Sequence, residues 1–297
     1  MATIQTASLG DKAVRRVGFG AMQLAGPGVF GPPKDPDAAR AVLRRAVELG
    51  VDHIDTAQVY GPDVVNELIA ETLRPYPDNL LIATKVGGAR DETGGWVRAS
   101  RPEQIRATLE QDLRTLRLDR IDLVYLRLGV GGDGPDPVPL ADRLGTLTEL
   151  RDEGKVGLIG LSAASVEDVD EALDITPIAA VQNAYGIGNR EDEPVLRLCR
   201  EHGIAYVPYY PLGSAFTGGP RALANEPVIA SVAIKHNASA SQIALAWLLA
   251  RYERMLPIPG TSSLARLEED LAAGRITLDG EDLAALENVR HLGAPAF

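Results

Sequence analysis

Short apolar runs, each followed by a stretch with helical spacing, recur along the chain, and this alternation constrains the fold more than any other feature. Val17–Ala21 precedes Asp35–Leu49, Val51–Asp55 precedes Asp63–Leu73, Leu80–Lys85 precedes Pro102–Leu116, and Ile121–Leu126 precedes Pro139–Glu153. Val156–Leu161 then leads to Val166–Leu173, and Ile178–Asn183 to Glu193–His202. Ile204–Val207 leads through a long loop to Ser241–Arg251, and Leu256–Pro259 to Ser263–Ala273. Apolar strands bounded by amphipathic stretches belong to a parallel sheet covered on both faces. Eight such units on 297 residues fit an α/β fold of the closed (β/α)8 type, a TIM barrel, better than an open sheet. Asp35-Pro36, Arg101-Pro102 and Ser241 supply helix-start signals. Gly50, Gly154, Gly203 and Gly274 stand where left-handed helix caps are wanted. No linker-like composition interrupts the pattern, so residues 1–297 are expected to form a single domain.

Charge narrows the partners. Thirty basic residues against 41 acidic ones give a net charge of −11, which argues against nucleic acid and anionic membrane surfaces. The longest apolar run, Ile243–Ala250, falls far short of the ~20 residues needed to span a bilayer. The opening MATIQTASLG lacks a basic start followed by an apolar run. Cys199 is the lone cysteine, so a reducing, cytoplasmic setting is expected. The partner expected is a small molecule, with the chain a monomer or weak homo-oligomer.

A barrel places its active site at the C-terminal ends of its strands and in the loops that follow them. Gly129–Gly134 reads GxGxxG, but Pro135, Asp136 and Pro137 follow where a dinucleotide fingerprint needs a helix. It reads as an active-site loop. Gly160–Ala164 resembles a nucleophile elbow without its last glycine. No HExxH, CxxC or paired His/carboxylate spacing suggests a metal, and His202, His236 and His291 read as surface or helix-end residues.

The informative segment is His53–Gly61, HIDTAQVYG. A strand ending on Asp55 puts a carboxylate at the barrel mouth, with Tyr60 in the loop above. His53 shares its parity one layer deeper and reads as barrel filling. Lys85 ends the next strand; alone, such a lysine usually faces solvent. Together the three suggest chemistry. A phenol is a poor acid near neutral pH unless a cation favours its phenolate. Lys85 can be that cation, with Asp55 keeping it charged and aimed, so Tyr60 could protonate a carbonyl oxygen while hydride reaches the carbon.

Several motifs then carry a resemblance over essentially the whole chain: GFGAMQ (18–23), HIDTAQVYG (53–61), ATK (83–85), RIDLVYL (120–126), VQNAY (181–185), YPLGS (210–214) and IPGTSS (258–263). The sequence resembles an aldo-keto reductase. The resemblance implies a (β/α)8 reductase of aldehydes and ketones using NADPH, with Asp55, Tyr60 and Lys85 in three places of a catalytic tetrad and Tyr60 as proton donor. In the fourth place the family usually has histidine, and Arg127 stands here. Its parity with Tyr125 points it into the mouth. There it could polarise the carbonyl, pair with an anionic substrate group, act on Tyr60, or form a structural ion pair. The arginine and the stretch GAMQLAGPGVFGPP (20–33) are similar to a bacterial pyridoxal-reductase subgroup, which makes pyridoxal the leading specific substrate.

Cofactor positions follow from the same resemblance. Gly20, Met22 and Asp55 face the coenzyme. Ser162 and Gln182 match the groups that hold the nicotinamide amide, although Ala163 replaces the usual asparagine. Tyr209 matches the aromatic that stacks on the nicotinamide. Leu212, Gly213 and Ser214 match the loop over the pyrophosphate. Gly260, Thr261, Ser262 and Arg266 match the ribose 2′-phosphate region. A basic residue often found near Gly260 is missing, which leaves NADH open as a coenzyme. Glu269 and Asp270 fall at the adenine, where Asp270 stands in for a common asparagine. Two other readings remain: a non-reducing dehydratase or cyclase on the same scaffold, and a nucleotide-sensing regulatory subunit.

Overall fold

The computed structural model describes residues 5–130, 134–213, 218–289 and 292. An antiparallel hairpin, β1 (Thr6–Leu9) and β2 (Lys12–Arg15), comes first. Parallel strands then follow: β3 (Phe19–Gly20), β4 (His53–Asp55) and β5 (Leu81–Arg90). The far end of β5 folds back against β6 (Trp96–Ala99). The sheet continues through β7 (Ile121–Arg127), β8 (Val156–Ser162), β9 (Ala180–Gln182) and β10 (Ala205–Tyr206), in the order β10-β9-β8-β7-β5-β4-β3. Residues 255–259 close it: Leu256 N donates to Tyr206 O at 2.9 Å, while Gly18 N and Gly20 N donate to Pro257 O and Pro259 O at 3.0 and 3.3 Å. The expected barrel, with its eighth stave, is therefore present.

Strand parity sorts side chains into two cores. On β7, Leu123 and Tyr125 point inward, joining Leu81, Ala83, Ala180, Ala205 and Leu256 in the barrel interior. Val124 and Leu126 point outward into the layer beneath the helices. Each such buried aliphatic side chain contributes about 1.5–3 kcal/mol. The hairpin adds Ala7, Leu9 and Val14 to the interior cluster and so plugs the N-terminal end, leaving the other end open. The sequence reading contained no element there.

The helices of the outer ring are α1 (Pro36–Glu48), α2 (Val64–Leu73), α3 (Pro102–Leu116), α4 (Leu140–Asp152), α5 (Val166–Ile175) and α6 (Glu193–His202). After β10 come α7 (Gly219–Asn225), α8 (Pro227–His236), α9 (Ala240–Arg251), α10 (Leu264–Ala272) and α11 (Gly280–Leu286). On α1 the buried face is Ala39, Val42, Leu43 and Ala46, the i, i+3, i+4, i+7 stripe of an amphipathic helix, and Asp35 caps it by accepting from Ala38 N at 2.9 Å. Two expectations need correcting. The cap of α9 is Ser239, which accepts from Gln242 N at 3.2 Å, so Ser241 lies inside the helix. Gly274 sits in a short 3-10 turn, Ala273–Arg275, and makes no left-handed cap, whereas Gly203 (φ 65°) does. The long loop before α9 also contains α7 and α8, whose short apolar stretches carry little periodic signal. No helix among the described residues is long and apolar enough to cross a membrane.

Candidate active site

A cavity of about 670 Å³ opens at the C-terminal end of the strands. Lys85, at the rim of β5, is buried, and its ammonium has three N–H donors. One goes to Asp55 Oδ1 in a short ion pair, one to Thr56 O at 3.0 Å and one to Tyr60 Oη at 3.1 Å. All three are thus engaged. The other Asp55 oxygen, Oδ2, accepts from Gln182 Nε2 at 2.8 Å. Because Lys85 donates to the phenol oxygen, the Tyr60 O–H has to point elsewhere, and Tyr60 lines the cavity. The arrangement offers one mobile proton at a cavity wall, backed by a fixed cation. Chemically that is a candidate general acid with a cation beside the oxygen that would gain charge.

The register explains the meeting. Asp55 pairs with Ala83 across β4 and β5, so Lys85 rises one layer above the carboxylate on the same inward face. Thr84 points the opposite way, toward α3, where Asp112 Oδ2 accepts from its hydroxyl at 3.0 Å. Asp112 Oδ1 accepts from Asn66 Nδ2 at 2.6 Å, and Asn66 Oδ1 accepts from Thr56 Oγ1 at 2.8 Å. The carbonyl of that same Thr56 holds Lys85. Burial pushes the Asp112 carboxyl up to about 7, against the pull of Asn66 and Thr84. Sequence reasoning missed this support. Its signal was present, because Asn66 and Asp112 interrupt the otherwise apolar faces of α2 and α3.

Of the residues expected to act, Asp55, Tyr60, Lys85 and Arg127 line the one cavity. So do Gly20, Met22, Ser162, Gln182, Tyr209, Leu212, Gly213, Gly260, Thr261, Ser262 and Arg266. Ser214 lies outside the described residues, as do Gly131–Asp133 of the glycine-rich loop and His291. Glu269 and Asp270 are not in the lining: Glu269 O accepts from Gln242 Nε2 at 2.9 Å, and Asp270 is buried. That burial pushes its carboxyl up to about 7, with Glu269 adding to the rise and Arg266 opposing it. His53 is interior filling as expected; it packs so closely on Gly18 that a Cβ there would lie 2.1 Å from Nε2.

The walls differ in character. At one side the backbones of residues 20 and 260 approach until a Cβ on Gly260 would lie 2.5 Å from Gly20 O. Beside them Ser263 caps α10, Thr261 Oγ1 accepts from Ser263 N at 3.0 Å, and Arg266 reaches the cavity. A helix N-terminus with a guanidinium suits a phosphate. Above β8, Ala163 stands at φ 57°, the left-handed region that asparagine and glycine tolerate better than alanine. Asn183 clamps the next residue, accepting from Ala164 N at 3.0 Å and donating to Ala164 O at 2.7 Å. Opposite, the Arg127 guanidinium carbon lies 5.0 Å from the Trp96 ring centroid. Trp96 was not anticipated; it and Tyr210, from the YPLGS motif, are cavity residues with large exposed surfaces.

Comparison with known proteins identifies the family. The aldo/keto reductase family model matches residues 16–291. Pyridoxine 4-dehydrogenase of Escherichia coli is 45% identical over 285 residues, spanning 96% of this chain and 98% of that protein. Aldo-keto reductase yakc of Schizosaccharomyces pombe is 30% identical, spanning 98% and 94%. The crystal structure of a thermostable aldo-keto reductase bound to epalrestat superposes with a TM-score of 0.80 at 26% identity, over 96% of this chain and 99% of that one. The chain belongs to the aldo/keto reductase family.

Proposed function

We propose that this protein reduces an aldehyde or ketone to an alcohol with NADPH, and that Tyr60 supplies the proton. The observation carrying this reading is the saturated Lys85 ammonium: its third donor lies on Tyr60 Oη, which leaves the phenolic proton for a carbonyl oxygen in the cavity. Asp55 pairs with Lys85 and aims it at Tyr60, and Gln182 holds Asp55 in place. As the proton leaves, the phenol oxygen gains charge beside a fixed ammonium, so little reorganisation is required. Arg127 takes the place that the family pattern gives to histidine and offers a permanent, fork-shaped donor to the same carbonyl oxygen.

The residues present fit a nicotinamide dinucleotide. Gly20 and Gly260 let the backbones at the rim approach closely, and Ser162, Gln182 and Tyr209 line the cavity where the nicotinamide would sit. Thr261, Ser262, Arg266 and the start of α10 suit a 2′-phosphate. The coenzyme, when bound, supplies the hydride. The printed name of the yeast relative specifies NADP(+), which favours the phosphorylated coenzyme here. Pyridoxal is the leading substrate, supported by the likeness to the bacterial pyridoxine 4-dehydrogenase.

The test is an aldehyde panel that includes pyridoxal, with NADPH and NADH consumption followed by absorbance. Tyr60→Phe is expected to lower kcat by about 10²–10⁴-fold while leaving coenzyme binding intact. Near-normal turnover in that variant would remove Tyr60 from its role.

A further inference from the structure

Beyond the rim, β5 runs alongside the end of β7. Gly87 stands at φ 96°, and a Cβ on it would lie 2.7 Å from Arg127 O, so a glycine here lets β5 pass Arg127 and continue to Arg90. β6 then returns, pairing Trp96 with Arg90 and Ala99 with Gly87. This brings the Trp96 indole, with a large exposed surface, onto the cavity wall. Arg90 backs the ring, its guanidinium carbon 3.9 Å from the ring centre. The donors of Arg90 go to Gly94 O at 2.7 Å, Gly28 O at 3.3 Å and Val29 O at 3.4 Å. Held by backbone of two segments, Arg90 is a fixed strut.

Arg127 has the opposite character. Among the described residues its guanidinium makes no hydrogen bond and no ion pair, and the Trp96 ring, 5.0 Å from the guanidinium carbon, is its one aromatic partner. A long arginine side chain left unheld in a wet cavity spreads over many rotamers, and fixing it costs entropy that a short imidazole does not lose. An indole face attracts a guanidinium without consuming any of its N–H donors. A carboxylate partner would fix the same side chain only by occupying its fork. Burial first, and the Arg127 charge second, pull the Arg90 guanidinium below its ordinary value, so each charge is felt by the other. With Arg90 immobile, that repulsion falls on Arg127 and biases it away from the hairpin while the ring restrains it.

We propose that Trp96 is a positioning residue for the reduction: its indole, backed by Arg90, moors the Arg127 guanidinium and leaves the N–H fork free for the carbonyl oxygen. The inference rests on the reading that Arg127 donates to that oxygen.

A double-mutant cycle tests this. Trp96→Leu is measured alone and in an Arg127→Met background, by kcat with NADPH and the best aldehyde of the panel. With Arg127 present, loss of the ring is expected to lower kcat about 5–30-fold, and Trp96→Phe, which keeps a ring face, loses less. Arg127→Met alone is expected to lower kcat about 10²-fold. In that background Trp96→Leu changes kcat by less than about twofold, because the ring has nothing left to hold. A second readout needs no turnover. The chain has two tryptophans and Trp247 is buried, so Arg127→Met is expected to alter the emission that Trp96→Phe removes. Equal effects of Trp96→Leu in both backgrounds, as for a ring that serves the substrate directly, would overturn the proposal and leave the reductase reading intact. So would a Trp96 emission indifferent to Arg127→Met. Undiminished kcat in Arg127→Met would instead remove Arg127 from the carbonyl, the reading on which the proposal rests.

Discussion

Replacing Asp112 by asparagine isolates a single buried charge behind the candidate site. The two side chains have nearly the same shape. The asparagine carbonyl can accept from Asn66 Nδ2, and its amide can donate to the Thr84 hydroxyl, which is able to accept. The network therefore survives and only the titration disappears. Burial, the largest influence, raises the Asp112 carboxyl to about 7 from an ordinary value of 3.8. An acid whose folded pKa lies above its unfolded one binds more protons when folded, so stability falls as pH rises from the lower value to the upper. Below about 4 the aspartate costs nothing; above about 7 it costs the fold on the order of 4 kcal/mol relative to a neutral group. Across the accessible range, pH 5.5 to 8.5, linkage gives a change of about 2 kcal/mol. Urea unfolding of both proteins through that range measures it, because every other titrating group cancels in the difference. Asp112→Asn is expected to gain on the wild type as pH rises and then to level off above pH 7. A difference that stays constant with pH would refute the argument and mean that Asp112 is ionised throughout.

Two further outcomes follow from local geometry. Ala163→Gly relieves a left-handed backbone at φ 57° and is expected to stabilise the fold by up to about 1 kcal/mol, read as a raised melting temperature; a lowered one would mean that the clamp by Asn183 removes the strain. Arg266→Ala is expected to raise KM for NADPH by about 10–100-fold with little effect on KM for NADH, because only the former has a 2′-phosphate to lose. Equal changes for both coenzymes would place the phosphate elsewhere.

The barrel was legible because its two cores impose one rule on every stave. Inward and outward residues both have to be apolar, which turns each strand into a short continuous run such as Ile121–Leu126, and each run has to be covered by a helix. The hairpin β1–β2 follows a different rule. It exposes one face, as the alternation of exposed Thr6 and Ser8 with buried Ala7 and Leu9 records, and four residues of alternation are too few to stand out. The β5–β6 hairpin was lost for another reason. The sequence reading ended its strand at Lys85, where a stave reaches the rim, yet the chain continues in strand conformation to Arg90 and reverses over Asp91–Gly95. A glycine-rich turn was visible in that segment, but nothing local says that it brings Trp96 back over the cavity.

The site shows the same division between what parity carries and what packing carries. Asp55, Lys85 and Arg127 could be placed at the mouth because each follows an inward-facing residue by two positions on its strand: His53, Ala83 and Tyr125. Parity says nothing about the outward side of the same strands, where Thr84 meets Asp112. That contact was nonetheless encoded in the pattern of α3. Ile105, Leu109, Asp112 and Leu116 form one buried stripe, and a carboxylate in such a stripe is stable only if something donates to it. Asn66, inside the buried face of α2, is the donor that the stripe requires, and its carbonyl in turn fixes Thr56. The polar residues that break apolar faces on adjacent helices are thus one chain of hydrogen bonds ending at the carbonyl that holds Lys85. Read this way, an interruption of periodicity locates the support of an active site as directly as a motif locates its chemistry.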